Sequence, residues 1–145
     1  AAAAKRRAAD AELAQRIAAD GVEAFVDGWL AQPLLSGLSR RGADYLTLQR
    51  AERLANRPQG LAASLQDMGA GAMTSLWSRL GELRLPVLVV VGEEDRRYVD
   101  LGARVAAQIP SARLAIVAGA GHSVPFEQPA AFADLVRNFL NDLSG

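Results

Sequence analysis

Two side chains in this sequence have both the chemistry and the setting to act together: Asp95 and His122, the only histidine of the chain. An apolar run, Pro86-Val-Leu-Val-Val-Val-Gly-Glu-Glu-Asp95, stops at a turn that carries a carboxylate. A shorter run, Leu114-Ala-Ile-Val117, stops at the turn Ala118-Gly-Ala-Gly-His122. A carboxylate that orients an imidazole, and an imidazole that moves a proton, are the acid and base of a nucleophilic triad. Taken singly, each residue has a plainer reading. Asp95 is a strand-ending turn residue, and His122 is a loop or capping histidine. The joint reading depends on the elements that would bring them together.

Leu101, Val105 and Ile109 stand four apart, the spacing of one helix face, which predicts a helix over 99–109. The apolar runs on either side predict strands over 87–91 and 113–118. Strand, helix, strand with continuously apolar strands is a parallel crossover unit. Both strands then end at the same edge of the sheet, roughly 5 Å apart, so that Asp95 and His122 can meet. Gly119 and Gly121 allow the backbone to turn sharply before the histidine. A last helix over 128–142 has Pro129 in its first turn and an apolar stripe of Phe132, Leu135, Val136, Phe139 and Leu140. Strands apolar at every position call for helices on both faces and further strands on both flanks. Residues 81–145 therefore read as part of a larger, doubly wound α/β domain whose parallel sheet is incomplete in this chain. The remaining strands would come from a second polypeptide or from a segment lost from this one.

Residues 1–80 are helical throughout in this reading. The opening stretch is rich in strong helix formers and stops at Gly21. Val22, Phe25, Val26, Trp29 and Leu30 fall on one face of a helix that ends before Pro33. Pro33 to Gly42 carries turn residues and reads as a linker. Tyr45, Leu48 and Ala51 mark a further helix. Pro58 starts another at the tolerated early position, with Leu61, Leu65 and Met68, until Gly69 and Gly71 break it. Met73, Leu76, Trp77 and Leu80 make a final short turn. A run of short helices with no strand between them makes residues 1–80 a helical insertion, not a sheet layer.

Composition narrows the function classes. Formal net charge is zero, so nothing steers the chain toward nucleic acid or an anionic membrane. The chain has no cysteine and a single histidine, which disfavours disulfides and metal sites. No cofactor is expected. No apolar run approaches the roughly 18 residues of a membrane span, and the Ala-Ala-Ala-Ala-Lys-Arg-Arg start lacks the order of a signal peptide. A cytoplasmic protein is the expectation. All basic residues but Lys5 are arginine, the better residue for bidentate carboxylate clamps.

The strand-Gly-x-x-Asp95 run, the Gly-x-Gly-His122 turn and the final Pro-initiated helix resemble the C-terminal half of an α/β-hydrolase, and the helical residues resemble its cap. In that fold the chain order is nucleophile, acid, histidine, with the nucleophile in a Gly-x-Ser-x-Gly turn. No serine of this sequence sits in that frame. A narrower likeness lies in Gly92-Glu-Glu-Asp-Arg-Arg-Tyr98, in Phe25-Val-Asp-Gly-Trp-Leu-Ala-Gln-Pro33, in Arg53 upstream of Leu61-Ala-Ala-Ser-Leu65, and in Asp10-Ala-Glu-Leu-Ala-Gln-Arg16. These are similar to the menaquinone-pathway family of 2-succinyl-6-hydroxy-2,4-cyclohexadiene-1-carboxylate synthase (SHCHC synthase). The resemblance implies a triad that takes a proton from a polycarboxylate substrate and eliminates pyruvate. It implies that Arg6 and Arg53 hold carboxylates and that Trp29 lines the site. It also implies inactivity without an N-terminal segment that supplies the nucleophile. Two other readings remain open: an ester or carbon–carbon bond hydrolase using the same Asp95 and His122, and a non-catalytic interaction module in which both are relics.

Overall fold

A computed structural model describes residues 2–144 of the chain. It divides into two compact units, one of Ala1–Gln32 with Ala43–Ser75, the other of Pro33–Gly42 with Leu76–Gly145. This differs from a simple cut near residue 80. Pro33–Arg41, which reads as a linker, forms a 3-10 helix and buries Leu35 and Leu38 within the second unit.

The first unit is all helical: α1 (Ala2–Asp20), α2 (Val22–Leu30), α3 (Ala43–Leu54) and α4 (Pro58–Met68). In α1 the buried residues are Asp10, Ala14 and Ile17, an i, i+4, i+7 stripe that packs on α4 and α2. Val22 and Val26 bury the matching face of α2, and Ala62 that of α4.

In the second unit, a short 3-10 turn (Trp77–Glu82) leads into β1 (Val87–Gly92), α5 (Arg96–Ala106), β2 (Ala112–Val117), α6 (Val124–Glu127) and α7 (Pro129–Ser144). β1 and β2 pair in parallel, from Val87 opposite Ala112 to Gly92 opposite Val117. The crossover predicted from the apolar runs is present, with α5 on one face. There Gly102 lies against Val89, Val91 and Leu114. On the other face Val90, Val117, Ala120, Val124, Phe132 and Leu135 form one apolar cluster under α6 and α7. Burial is less complete than the continuous apolar pattern suggests, since Ile116 of β2 stays 51% exposed.

Two boundaries shift for local reasons. α5 starts at Arg96 rather than 99, because Asp95 caps it by accepting from the backbone N–H of Tyr98 and so fixes its first turn. The final helix, expected over 128–142, begins at Pro129, and a separate one-turn helix, α6, precedes it, the two parted at Gln128 (φ −132°, ψ 64°).

Candidate active site

The site is built at the ends of the two strands, where β1 runs into Glu93-Glu94-Asp95 and β2 into Ala118 to His122. The two loops are stitched by their backbones. Glu93 N–H donates to Val117 O at 3.0 Å and Glu94 N–H to Ala120 O at 2.9 Å. This closeness requires glycine at 92, where a Cβ would sit 2.0 Å from Gly121 O and 2.4 Å from Ala120 O. Gly119 turns the second loop with φ +65°, the left-handed region that a side chain disfavours. Gly121 does not share that conformation. Its missing side chain instead makes room for the Glu127 carboxylate, 3.1 Å from where a Cβ would stand.

Asp95 and His122 are thereby brought together. His122 Nδ1 lies 2.7 Å from Asp95 Oδ2. The carboxylate is nearly sealed, its side chain 6% exposed against 30% for the imidazole. Asp95 Oδ1 meanwhile accepts from Tyr98 N–H at 3.2 Å, so both of its oxygens are engaged. The Tyr98 ring meets the His122 ring edge-on, centroids 4.6 Å apart and planes at 69°. With Nδ1 turned to a carboxylate, the imidazole is held in the tautomer whose Nε2 can accept a proton.

The loops have a second layer of support that residue types alone do not announce. Arg40, from the 3-10 helix of the same unit, donates to Gly119 O at 2.9 Å and to Glu94 Oε2 at 2.5 Å. Its hydrogen bond to Glu94, with that carboxylate's charge and more weakly Glu127's, raises the guanidinium above its ordinary pKa against some desolvation. Glu93 Oε2 accepts from Gly119 N–H. Glu127 accepts from Gly121 N–H at 2.8 Å and from Ser123 N–H at 2.9 Å.

The other residues singled out from the sequence lie in the first unit. Arg53 is stacked over the Trp29 ring, 4.6 Å from its centroid. Its Nη1 donates to Gln49 O at 2.8 Å and to Gln49 Oε1 at 2.6 Å. Among the described residues it has no carboxylate partner. Arg6 is placed differently: its Nε donates to the buried Asp10 Oδ1 at 2.7 Å. A cavity of about 170 Å³ opens beside Asp10, lined also by Arg7, Leu65 and Gln66. Ligand pockets of drug-sized molecules run to about 300 Å³ and more, so this one is too small to be a whole substrate site. Among the described residues no three His, Cys, Asp or Glu side chains gather as a metal cage, and no helix is long and apolar enough to cross a membrane.

A parallel crossover that delivers an aspartate and a histidine to one sheet edge, joined in sequence to a helical insertion, defines a class, and the chain belongs to the alpha/beta hydrolase family, whose sequence profile matches residues 1–135. Within that family it is 42% identical over 134 residues to a Bacillus subtilis (strain 168) protein provisionally named 2-succinyl-6-hydroxy-2,4-cyclohexadiene-1-carboxylate synthase, over 92% of this chain and 49% of that protein. It is 30% identical over 132 residues to the synthase of that name from Pectobacterium atrosepticum, over 91% of this chain and 49% of the relative. Among solved structures, MenH from S. aureus superposes with a TM-score of 0.93 at 29% identity, over 99% of this chain and 54% of that one. A thermophilic esterase from Thermogutta terrifontis shares the fold at a TM-score of 0.81 and 22% identity, over 95% of this chain and 50% of that one. The chain spans about half the length of the curated relatives it matches.

Proposed function

We propose that these residues are the acid–base half of an SHCHC synthase, with Asp95 and His122 as two members of its triad and the nucleophile supplied by residues outside this sequence, on the same or another polypeptide. The observation that carries the reading is the 42% identity to the Bacillus subtilis protein of that provisional name, joined to an Asp95–His122 contact of 2.7 Å. In this reading residues 1–80 act as the cap and 81–145 as part of the core. The location stays cytoplasmic, which cell fractionation checks.

The substrate is a cyclohexene bearing a succinyl group, an enolpyruvyl ether and a carboxylate. Asp95 holds Nδ1–H, so His122 Nε2 receives the proton that leaves the ring carbon, through the nucleophile or directly. The electron pair of that C–H bond forms the new ring double bond. The C–O bond to the enolpyruvyl group breaks, and pyruvate departs as its enolate, which takes up the proton that the imidazole received. A trianion needs cationic donors that are not already neutralised. Arg53 answers to that: its guanidinium is held over the Trp29 ring and steered by Gln49, with charge left to meet a carboxylate. Arg6 takes a lesser share here, because Asp10 already engages its Nε.

The test uses the full-length protein that contains this sequence and follows pyruvate release from that cyclohexene. We expect turnover that disappears in His122→Gln. Arg53→Ala should raise KM about 10- to 100-fold, the worth of a charged hydrogen bond to a carboxylate, with kcat largely kept. Turnover of neutral esters with none of the polyanion would instead assign the same pair to ester hydrolysis.

A further inference from the structure

We infer that Glu127 is a positioning residue for His122, its carboxylate gripping the backbone on both sides of the histidine. The inference rests on the reading of His122 as the base. Oε2 accepts from Gly121 N–H at 2.8 Å, and Oε1 accepts from Ser123 N–H at 2.9 Å. The two N–H groups belong to the Ala120–Gly121 and His122–Ser123 peptide planes, so the short segment that carries His122 is tied at both ends to one anion. Neither plane can rotate without breaking a charge-assisted bond. The grip is closed from the other end by α6, where Glu127 N–H donates back to Ser123 O at 2.9 Å.

The carboxylate also has a fitted seat. A Cβ on Gly37 would stand 1.9 Å from Glu127 Oε2 and 2.4 Å from its Cδ. Gly37 therefore leaves the space in which the carboxylate lies. Glu127 makes no hydrogen bond to the imidazole or to Asp95. It acts only through the path of the loop, and it decides whether Nδ1 arrives at Asp95 and where Nε2 points.

The experiment compares Glu127→Gln and Gly37→Ala in the full-length protein. Glutamine keeps the size but offers one acceptor and one donor to two donors, so one amide loses its partner. Alanine at 37 leaves Glu127 in the sequence and pushes its carboxylate off its seat. Two quantities are read: steady-state pyruvate release, and the nitrogen-15 NMR signals of the His122 imidazole, assigned by their loss in His122→Gln. Both variants should lower kcat about 30- to 100-fold, the cost of a misplaced reacting group, with KM nearly unchanged. Both should shift or broaden the Nδ1–H signal. If Gln at 127 does not fold, Gly37→Ala decides alone. A folded variant that keeps both kcat and the imidazole signals, whatever its melting temperature, overturns the inference. Full activity in His122→Gln would instead sink the proposed function, and the NMR comparison would still judge Glu127.

Discussion

Asp95 divides its carboxylate between two tasks. One oxygen caps α5 through Tyr98 N–H, and the other meets His122 Nδ1. Asparagine can keep the cap, since its carbonyl oxygen also accepts an N–H. Its amide cannot serve Nδ1–H at the same time and turns the imidazole to the other tautomer. We therefore expect Asp95→Asn in the full-length protein to lower kcat about 10³- to 10⁴-fold while melting nearly where the parent does. Asp95→Ala should lose the activity and, with the cap, about 1 kcal/mol of stability as well. Kinetics beside thermal melts separate the two. This pair was legible in the sequence because a carboxylate and a lone histidine each closed an apolar run, and a parallel crossover puts such closures on one edge. Glu127 and Arg40 were not legible. They grip backbone N–H and C=O groups, which every residue carries and no side-chain pattern marks. Tyr98 lay closer to view, three residues beyond a helix-capping aspartate, but its edge-on contact with the imidazole needs the loop's path to be known.

Among the elements, α2 and α3 are joined by a charge pair rather than by a deep apolar seam. Arg50 of α3 lies 2.6 Å from both Asp27 and Glu23 of α2. The hydrogen bond from Arg50 holds the Asp27 carboxyl below its ordinary 3.8, with desolvation opposing and the guanidinium charge adding. A carboxyl depressed in the folded state contributes stability above its unfolded value and loses it as pH falls through the folded one. Arg50→Gln should therefore lower the melting temperature slightly at pH 7 in dilute buffer. The gap should narrow in high salt, since the pair is exposed. It should close in acid once Asp27 protonates, below the ordinary carboxyl range. Melts of parent and variant across pH and salt check this, and a gap insensitive to both would mean that Arg50 contributes by packing alone. The helices of this unit were legible from their apolar spacing and their Gly and Pro boundaries. Pro33–Arg41 was not, because a 3-10 helix lacks the 3.6-residue period and its Pro, Ser and Gly residues read as turns. The missed element is the one that carries Arg40 and Gly37 to the histidine loop.

At the scale of the whole molecule, the second unit has a sheet that is small for the apolar surface it presents. Its two strands, six residues each, pair with each other, and among the described residues the outer edge of each has no strand beside it. A two-stranded sheet is marginal in water without more strands or a full helical cover, and parallel pairing is the weaker kind. Leu114 and Ile116 are 37% and 51% exposed on the face that α5 covers only in part, and Leu140 and Leu143 of α7 are about half exposed. Large apolar side chains left this open beside unpaired strand edges mark surface that further chain normally covers. We expect a polypeptide of these 145 residues alone to melt over a broad range, to bind a hydrophobic dye such as ANS in its native buffer, and to release no pyruvate. A longer polypeptide that pairs both strand edges should melt cooperatively, shed the dye and turn over substrate. Calorimetry and dye fluorescence on the two make the comparison. A sharp two-state transition without dye binding in the shorter polypeptide would mean that two strands and their helices suffice as a core, and the case for an additional segment beside Asp95 and His122 would lose its physical ground.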